Sequence, residues 1–426
     1  MIEPVVSTHV LPNGLTVVEI DLPHFQGITN LLVIRSGSRY ETPANHGVAH
    51  FLEHLVFKGT KSYPTSRLIA EAIEGVGGYF NAWTSYDSTA YWNIVPAKFL
   101  ALGLQVPLEL AFQPLLRSED LERERGVIIE EIRRINDDPA SLIGDISQEM
   151  TFGAHPLGRS VIGTEQSIGA LTIKDVRDYQ KTHYNPGQAY MIVAGNIGAL
   201  NVKEQVWQQV QAIKKQSVSQ FESFEGLTTK GVKVVNRPTD QAHFVLSLCD
   251  SSFALTSPDR FTAVLLNTVL GSGMSSRLFL NIREEKGLAY SIHSGLSLYE
   301  DTGEISIYGG VTTGKVGEAL AAVDEELARL AKEPVGLAEL TKVKNLLVGS
   351  FELSADRPLD LASWYGTSRL LGMKETRAQA KAAIEAVTAE QIQKLAQQIF
   401  VKDRQALTVI GPYQSDQLFR EFMGIG

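Results

Sequence analysis

Residues 50 to 54 read His-Phe-Leu-Glu-His. On a helix, positions i and i+4 share a face, and i+3 lies between them on the same side. Two imidazoles placed this way can grip one divalent cation while the Glu53 carboxylate stands beside a water held there. The ordinary alternative is a solvated helix face that carries two histidines by chance. Hydrolytic zinc sites use three protein ligands and keep one position open, so a third ligand to join His50 and His54 has to come from elsewhere in the chain.

The segment LERERGVIIEEIRR, beginning at Leu121, offers carboxylates at helical spacing. Glu124 and Glu131 are seven apart and share a face two turns from each other, whereas Glu130 lies about 100° around the helix from Glu131. Val127, Ile128 and Ile129 imply that much of this helix is buried, where a carboxylate is costly unless it is paired or binds a metal. Glu130 and Glu131 both remain candidates on this reading. The other histidines take plainer roles. His46 precedes Gly47, where the helix has barely begun; His155 sits in a loop and His293 in a strand. The stretch LGSGMSSR, Leu270 to Arg277, lacks the GxxxxGK[ST] arrangement of a phosphate loop and joins two helices.

These residues need elements to hold them. THVL-PNG-LTVVEI reads as two β-rich runs around a turn, followed by a strand in ITNLLVIRSGS. Helices are expected over Gly47 to Lys58 and Ser66 to Glu74, then a hairpin from YFNAWTS and STAYWNIV, a long helical stretch to Asp137, and a strand in QAYMIVAGNI. The same order then recurs from KGVKVVN to QALTVIGPY, with helices expected in RFTAVLLNTVL and SSRLFLNIREEK. Ser66-Arg67-Leu68 matches Ser276-Arg277-Leu278, and Gly77 matches Gly287, at one offset (276 − 66 = 287 − 77 = 210). The expected fold is α+β, in two similar halves, each a mainly antiparallel sheet with helices packed on one face. The domains are a metal-bearing half over 1–212, a linker over 213–230 and a second half over 231–426. At the 210 offset, His50, Glu53 and His54 fall on Arg260, Ala263 and Val264, so the second half has no metal motif of its own.

Composition narrows the function class. The chain has 426 residues and a net charge of −9 with both signs interspersed, which argues against a nucleic-acid partner. No run approaches the 18 apolar residues of a membrane span, and the first residues show neither the basic nor the apolar region of a secretory signal. The expectation is a soluble, cytoplasmic protein. Cys249 is the only cysteine, which excludes an intramolecular disulfide, and it reads as a small core residue.

HFLEH, ERERGVIIEEI and HPLGRSVIGT (His155 to Thr164) together resemble the family of pitrilysin, insulysin and the mitochondrial processing peptidases. The resemblance extends over essentially the whole chain. That family pairs HxxEH with a glutamate some 76 positions on, and 76 residues lie between His54 and Glu131 here (131 − 54 − 1 = 76). The resemblance therefore implies one Zn²⁺ per chain held by His50, His54 and Glu131, with Glu53 as the proton acceptor and Glu124 as a supporting carboxylate. It implies that Arg283 and Tyr290 are the arginine–tyrosine pair that the non-metal half supplies to the oxyanion. Asn81 and Ala82 would position an extended peptide by β-augmentation, with Trp83 standing where a tyrosine is more usual. The activity implied is a zinc-dependent endopeptidase that encloses short or unfolded peptides in a homodimer, or in a heterodimer with a related chain. Two other classes compete: a non-catalytic structural subunit like the core proteins of respiratory complexes, and a peptide-binding module without turnover. An intact HFLEH and Glu131 argue against the first.

Overall fold

A computed structural model describes residues 4–198, 200–373 and 375–425. Its first sheet contains β1 (Val5–Val10), β2 (Thr16–Asp21), β3 (Gly27–Ile34), β4 (Tyr79–Thr84), β5 (Thr89–Pro96) and β6 (Ala189–Gly195), in the order β1-β2-β6-β3-β5-β4. Every neighbouring pair is antiparallel except β2 with β6. The second sheet contains β7 (Gly231–Asn236), β8 (Gln241–Cys249), β9 (Ala289–Leu298), β10 (Gly303–Thr312) and β11 (Ala406–Gly411), in the order β7-β11-β8-β10-β9, with only β7 and β11 parallel. Removing β1 makes the two orders identical. The edge strands β4 and β9 begin 210 residues apart (289 − 79 = 210). The α+β class and the two similar halves are as expected from the sequence.

Strand alternation decides what each face must bury. In β3, Ile28, Leu32 and Ile34 point into a core shared with the helices Val48–Val56, Leu100–Phe112 and Ser118–Asp137. Leu31 and Val33 point the other way, joining Val18, Ile20, Ile192 and Ala194 in a second apolar layer. That layer is covered by Leu361, Ala362, Tyr365 and Leu370 of the helix Pro358–Leu370, which comes from the far end of the sequence. The helix lies close to the sheet: a Cβ on Gly366 would fall 3.0 Å from Ile192 Cδ1 and 3.1 Å from Val33 Cγ2. Conversely, the helix Pro139–Phe152 from the first half of the sequence packs against β8 and β11, with Ile143 against Val245 and Ile410.

Two compact units result, and they are not the contiguous stretches 1–212 and 231–426. One comprises Met1–Arg133, Ser160–Glu222 and Glu352–Lys374; the other comprises Arg134–Arg159, Ser223–Phe351 and Glu375–Gly426. Each unit takes one helix from the opposite half of the sequence. The physical reason is that each sheet has a second face needing cover, while the helices adjacent in sequence already occupy the first. Residues 214–230 carry no helix or strand, in keeping with a connecting segment, but they are tied down. Asn185 Nδ2 donates to the Gln216 and Ser217 carbonyls, and the Arg39 guanidinium lies 3.9 Å over the Phe221 ring. No helix among the described residues is long and apolar enough to cross a membrane.

Leu361 is fully buried in the layer under the exchanged helix, so Leu361→Ala should lower the unfolding free energy by about 2–5 kcal/mol in a denaturant titration. The same change at Leu353, which is 68% exposed, should stay within about 0.5 kcal/mol of the parent.

Candidate metal centre

Two helices build the centre. The first, Val48–Val56, starts at Gly47, whose φ of +89° is a left-handed conformation open to glycine at little cost. A Cβ there would also fall 2.7 Å from Ile168 Cδ1 and 3.0 Å from Gly163 Cα. The Glu41 carboxylate accepts from the Gly47 and Ala49 N–H groups, each at 2.8 Å, and so satisfies donors at the helix start. Phe51, Leu52, Leu55 and Val56 anchor one side in the core, which leaves His50, Glu53 and His54 along the rest of the surface.

The second helix, Ser118–Asp137, is anchored by Leu121, Ile128 and Ile132. Ile128 is fully buried but Val127 is 50% exposed, so its burial is narrower than the run Val127-Ile128-Ile129 suggested. Glu124 is buried and Glu131 half-buried on the side that meets the first helix. Glu130 points to solvent and pairs with Arg133 at 2.7 Å. The pair left open by the sequence is thereby separated: Glu131 stands with the histidines and Glu130 does not.

Glu131 Oε2 lies 4.0 Å from His50 Nε2 and 3.8 Å from His54 Nε2. Ligand atoms of the three residues all fall within 4.8 Å of one another. Four ligands around a zinc ion, at about 2.1 Å each, stand about 3.4 Å apart, so small side-chain adjustments would close the set. Behind it, Glu124 Oε2 lies 3.3 Å from His54 Nδ1, while Glu124 Oε1 meets Lys58 Nζ at 2.7 Å. With Glu124 Oε2 accepting, His54 Nδ1 is the donor of this pair, which turns its Nε2 toward Glu131. Burial, with help from nearby His54, pulls the His50 pKa down to about 3 and keeps that imidazole neutral. Two imidazoles and a carboxylate are a donor set suited to a divalent ion of the zinc kind.

Glu53 is held by the Thr84 hydroxyl, which donates to its Oε2. Burial raises the Glu53 carboxyl, the Thr84 hydrogen bond and His54 pull against that rise, and Glu131 adds to it. The sequence reading missed Thr84 and Lys58. Thr84 was within reach: alternation along β4 puts it on the same side as Phe80 and Ala82, which pack on the core.

Residues 17–165 match the model described as Insulinase (Peptidase family M16), and residues 170–347 match the Peptidase M16 inactive domain. An uncharacterized zinc protease of Streptomyces coelicolor is 34% identical over 418 residues, covering 96% of this chain and 90% of the relative. One from Bacillus subtilis is 33% identical over 412 residues, covering 96% and 98%. The chain belongs to peptidase family M16. A protease from Helicobacter pylori shares the fold at a TM-score of 0.89 with 23% identity, covering 96% of this chain and 99% of that one. A peptidase M16 inactive domain from Pseudomonas fluorescens does so at 0.89 with 19% identity and the same coverage.

In this M16 chain, His50, Glu53, His54, Glu124 and Glu131 all belong to the first compact unit, as do Asn81 and Ala82 on β4. β4 is an edge strand, and the Ala82 N–H is taken by Asn81 Oδ1 at 2.8 Å. Arg283 and Tyr290 belong to the second unit. Arg283 sits in the segment Leu278–Glu285, which winds as a π-helix rather than the α-helix expected; the Lys286 N–H reaches back five residues to the Asn281 carbonyl. Its guanidinium lies over the Phe279 ring and 3.6 Å from Glu284. Tyr290 is the extra residue of a β-bulge, since Ser291 pairs with Gly310 and Ala289 with Val311, and its side chain is 76% exposed. His46 instead meets the Ser160 carbonyl through Nε2 at 2.7 Å, and Cys249 is fully buried beside Thr228.

Glu124→Gln keeps the shape of the support but removes its charge, and with it the demand that His54 Nδ1 stay protonated. Zinc affinity, measured by competition with a fluorescent chelator, should fall about 10- to 100-fold while the fold persists.

Proposed function

We propose that this M16 chain is a zinc-dependent endopeptidase acting on short or unfolded peptides. The observation that carries this reading is the convergence of His50, His54 and Glu131 donors within 4.8 Å, with Glu53 next to His54 on the same helix. Bound zinc would polarise the scissile carbonyl and acidify a water.

The chain's own residues would do the rest. Glu53, part-buried and held at Oε2 by Thr84, accepts a proton from the attacking water and returns it to the leaving amine. The Thr84 hydrogen bond also ties the base to the end of β4, so the peptide-aligning strand and the base keep one geometry. An extended substrate would add to the open edge of β4 near Asn81 and Ala82, displacing the Asn81 Oδ1 contact from the Ala82 N–H. Arg283 and Tyr290 are proposed as the donors to the oxyanion, where water is excluded and such groups gain strength. The exposure of the Tyr290 phenol leaves it free for that part. We propose a homodimer, with Arg283 and Tyr290 of one chain serving the centre of the other; a heterodimer with a related chain would divide the same roles.

The test is mass spectrometry of a mixed peptide pool incubated with the zinc-loaded parent and with Glu53→Gln. Cleavage should fall at least about 100-fold in the variant, with zinc content unchanged. Equal cleavage by both would remove Glu53 from the role of base. Silence from both, with zinc bound, would turn the reading to peptide binding without turnover.

A further inference from the structure

The two exchanged helices seat differently on their sheets. On the first sheet, four buried residues of the helix Pro358–Leu370 close over seven buried apolar residues of the strands. On the second sheet, the helix Pro139–Phe152 buries only a small apolar cluster, Ile143 with Val245 and Ile410. Its far end is joined to the sheet by hydroxyls: Ser147 Oγ meets Ser247 Oγ at 3.1 Å, and Thr151 Oγ1 lies 2.8 Å from the same Ser247 Oγ. Beside this seam is a cavity of about 490 Å³, open to solvent and lined by Ser147 and Gln148 of the helix and by His293, Glu304, Ser306 and Tyr308 of the strands.

Glu304 sets the character of this cavity. Alternation along β10 puts Ile305 and Ile307 in the core and leaves Glu304, Ser306 and Tyr308 on the cavity face. Glu304 is only 5% exposed. Its Oε1 accepts from Thr151 Oγ1 at 2.9 Å, a hydroxyl proton also sought by the Ser147 carbonyl at 2.8 Å. Its Oε2 receives no hydrogen bond from the described residues, and the residue forms part of the cavity wall. Among the described residues no lysine or arginine lines the cavity and no ion pair reaches Glu304. Burial pushes its carboxyl up to about 7, with the Thr151 hydroxyl restraining the rise. A carboxyl so deeply desolvated, with one contested neutral hydrogen bond, ionises only at a cost, and a cation beside it would offset that cost. His293 does not supply it, because burial lowers its pKa and it stacks against the Tyr308 ring; Tyr308 in turn pairs its hydroxyl with His243 Nδ1 at 2.9 Å.

We propose that this cavity is a binding subsite for a cationic amine of a peptide, either a basic side chain or a free amino terminus, with Glu304 Oε2 as the counter-charge. The volume suits one long side chain, and Ser306, Gln148 and the Tyr308 hydroxyl offer oxygen acceptors for the remaining N–H groups. The subsite deepens the peptidase reading and rests on it for the peptide that carries the amine. All of its lining residues belong to the second compact unit, as do Arg283 and Tyr290, whereas the metal donors and Glu53 belong to the first.

Fluorescence anisotropy on the zinc-loaded full chain tests this without hydrolysis, using labelled probes of glycine and D-alanine that resist cleavage. One probe is N-acetylated with a single lysine, one is N-acetylated with norleucine in its place, and one has a free amino terminus and no lysine. A cationic probe should bind about tenfold or more tighter than the neutral one, and Glu304→Gln should remove the difference. Preference for the lysine probe alone assigns a side chain; preference for the free-terminus probe alone assigns the chain end. Ser297→Lys, at an exposed position of β9 on the cavity rim, supplies the site with its own ammonium and should abolish the preference even if Glu304→Gln folds poorly. Equal binding of all three probes by the parent, or a preference that survives both variants, overturns the proposal. If Glu53-dependent cleavage is intact while binding is indifferent to charge, only the subsite fails. Charge-dependent binding without cleavage leaves the subsite standing and removes the peptidase reading.

Discussion

The contact between His54 and Glu124 sets the register of two helices, and the rest of the centre depends on that register. Glu124 is shared, one oxygen to His54 Nδ1 and the other to Lys58 Nζ, so a single buried carboxylate fixes both the histidine's tautomer and the helix that carries it. A shift of one residue along the Ser118–Asp137 helix would turn its surface by about 100° and replace Glu131 with a neighbour. The apolar anchors Leu121, Ile128 and Ile132 oppose that rotation, since each would leave the core. Packing thus does the coarse positioning, and one ion pair with one hydrogen bond does the fine positioning.

The exchange of helices gives the two sheets different second faces. The first sheet is largely apolar on both sides, the buried Asn30–Asn93 hydrogen bond being a polar exception. The second sheet keeps serines, a glutamate, two histidines and a tyrosine on the face toward the helix Pro139–Phe152. Such a face costs more to bury than an apolar one.

Much of this was legible in the sequence because it is local. The four-residue spacing of His50 and His54, the seven-residue spacing of Glu124 and Glu131, and the hairpins on either side of Tyr86-Asp87 and Glu300-Asp301 all depend on short-range periodicity. The repeated order of elements followed from the same patterns. The helix exchange was not legible: the helices Pro139–Phe152 and Pro358–Leu370 carry apolar faces that do not name their sheet. The π-helix at Leu278–Glu285 reads like an α-helix, since both repeat every few residues, and the bulge at Tyr290 is set by pairing with β10 rather than by β9 alone. Lys58 has no motif and Thr84 only the alternation of β4; tertiary packing brings them to Glu124 and Glu53.

The most direct measurement is an anomalous-scattering map of zinc-soaked crystals, recorded on both sides of the zinc absorption edge. One peak per chain is expected, contacted by a nitrogen from each of His50 and His54 and by an oxygen of Glu131, with Glu124 behind His54. A peak ligated by Glu130, a peak elsewhere, or no peak at the His50–His54 pair would contradict the assignment of the centre.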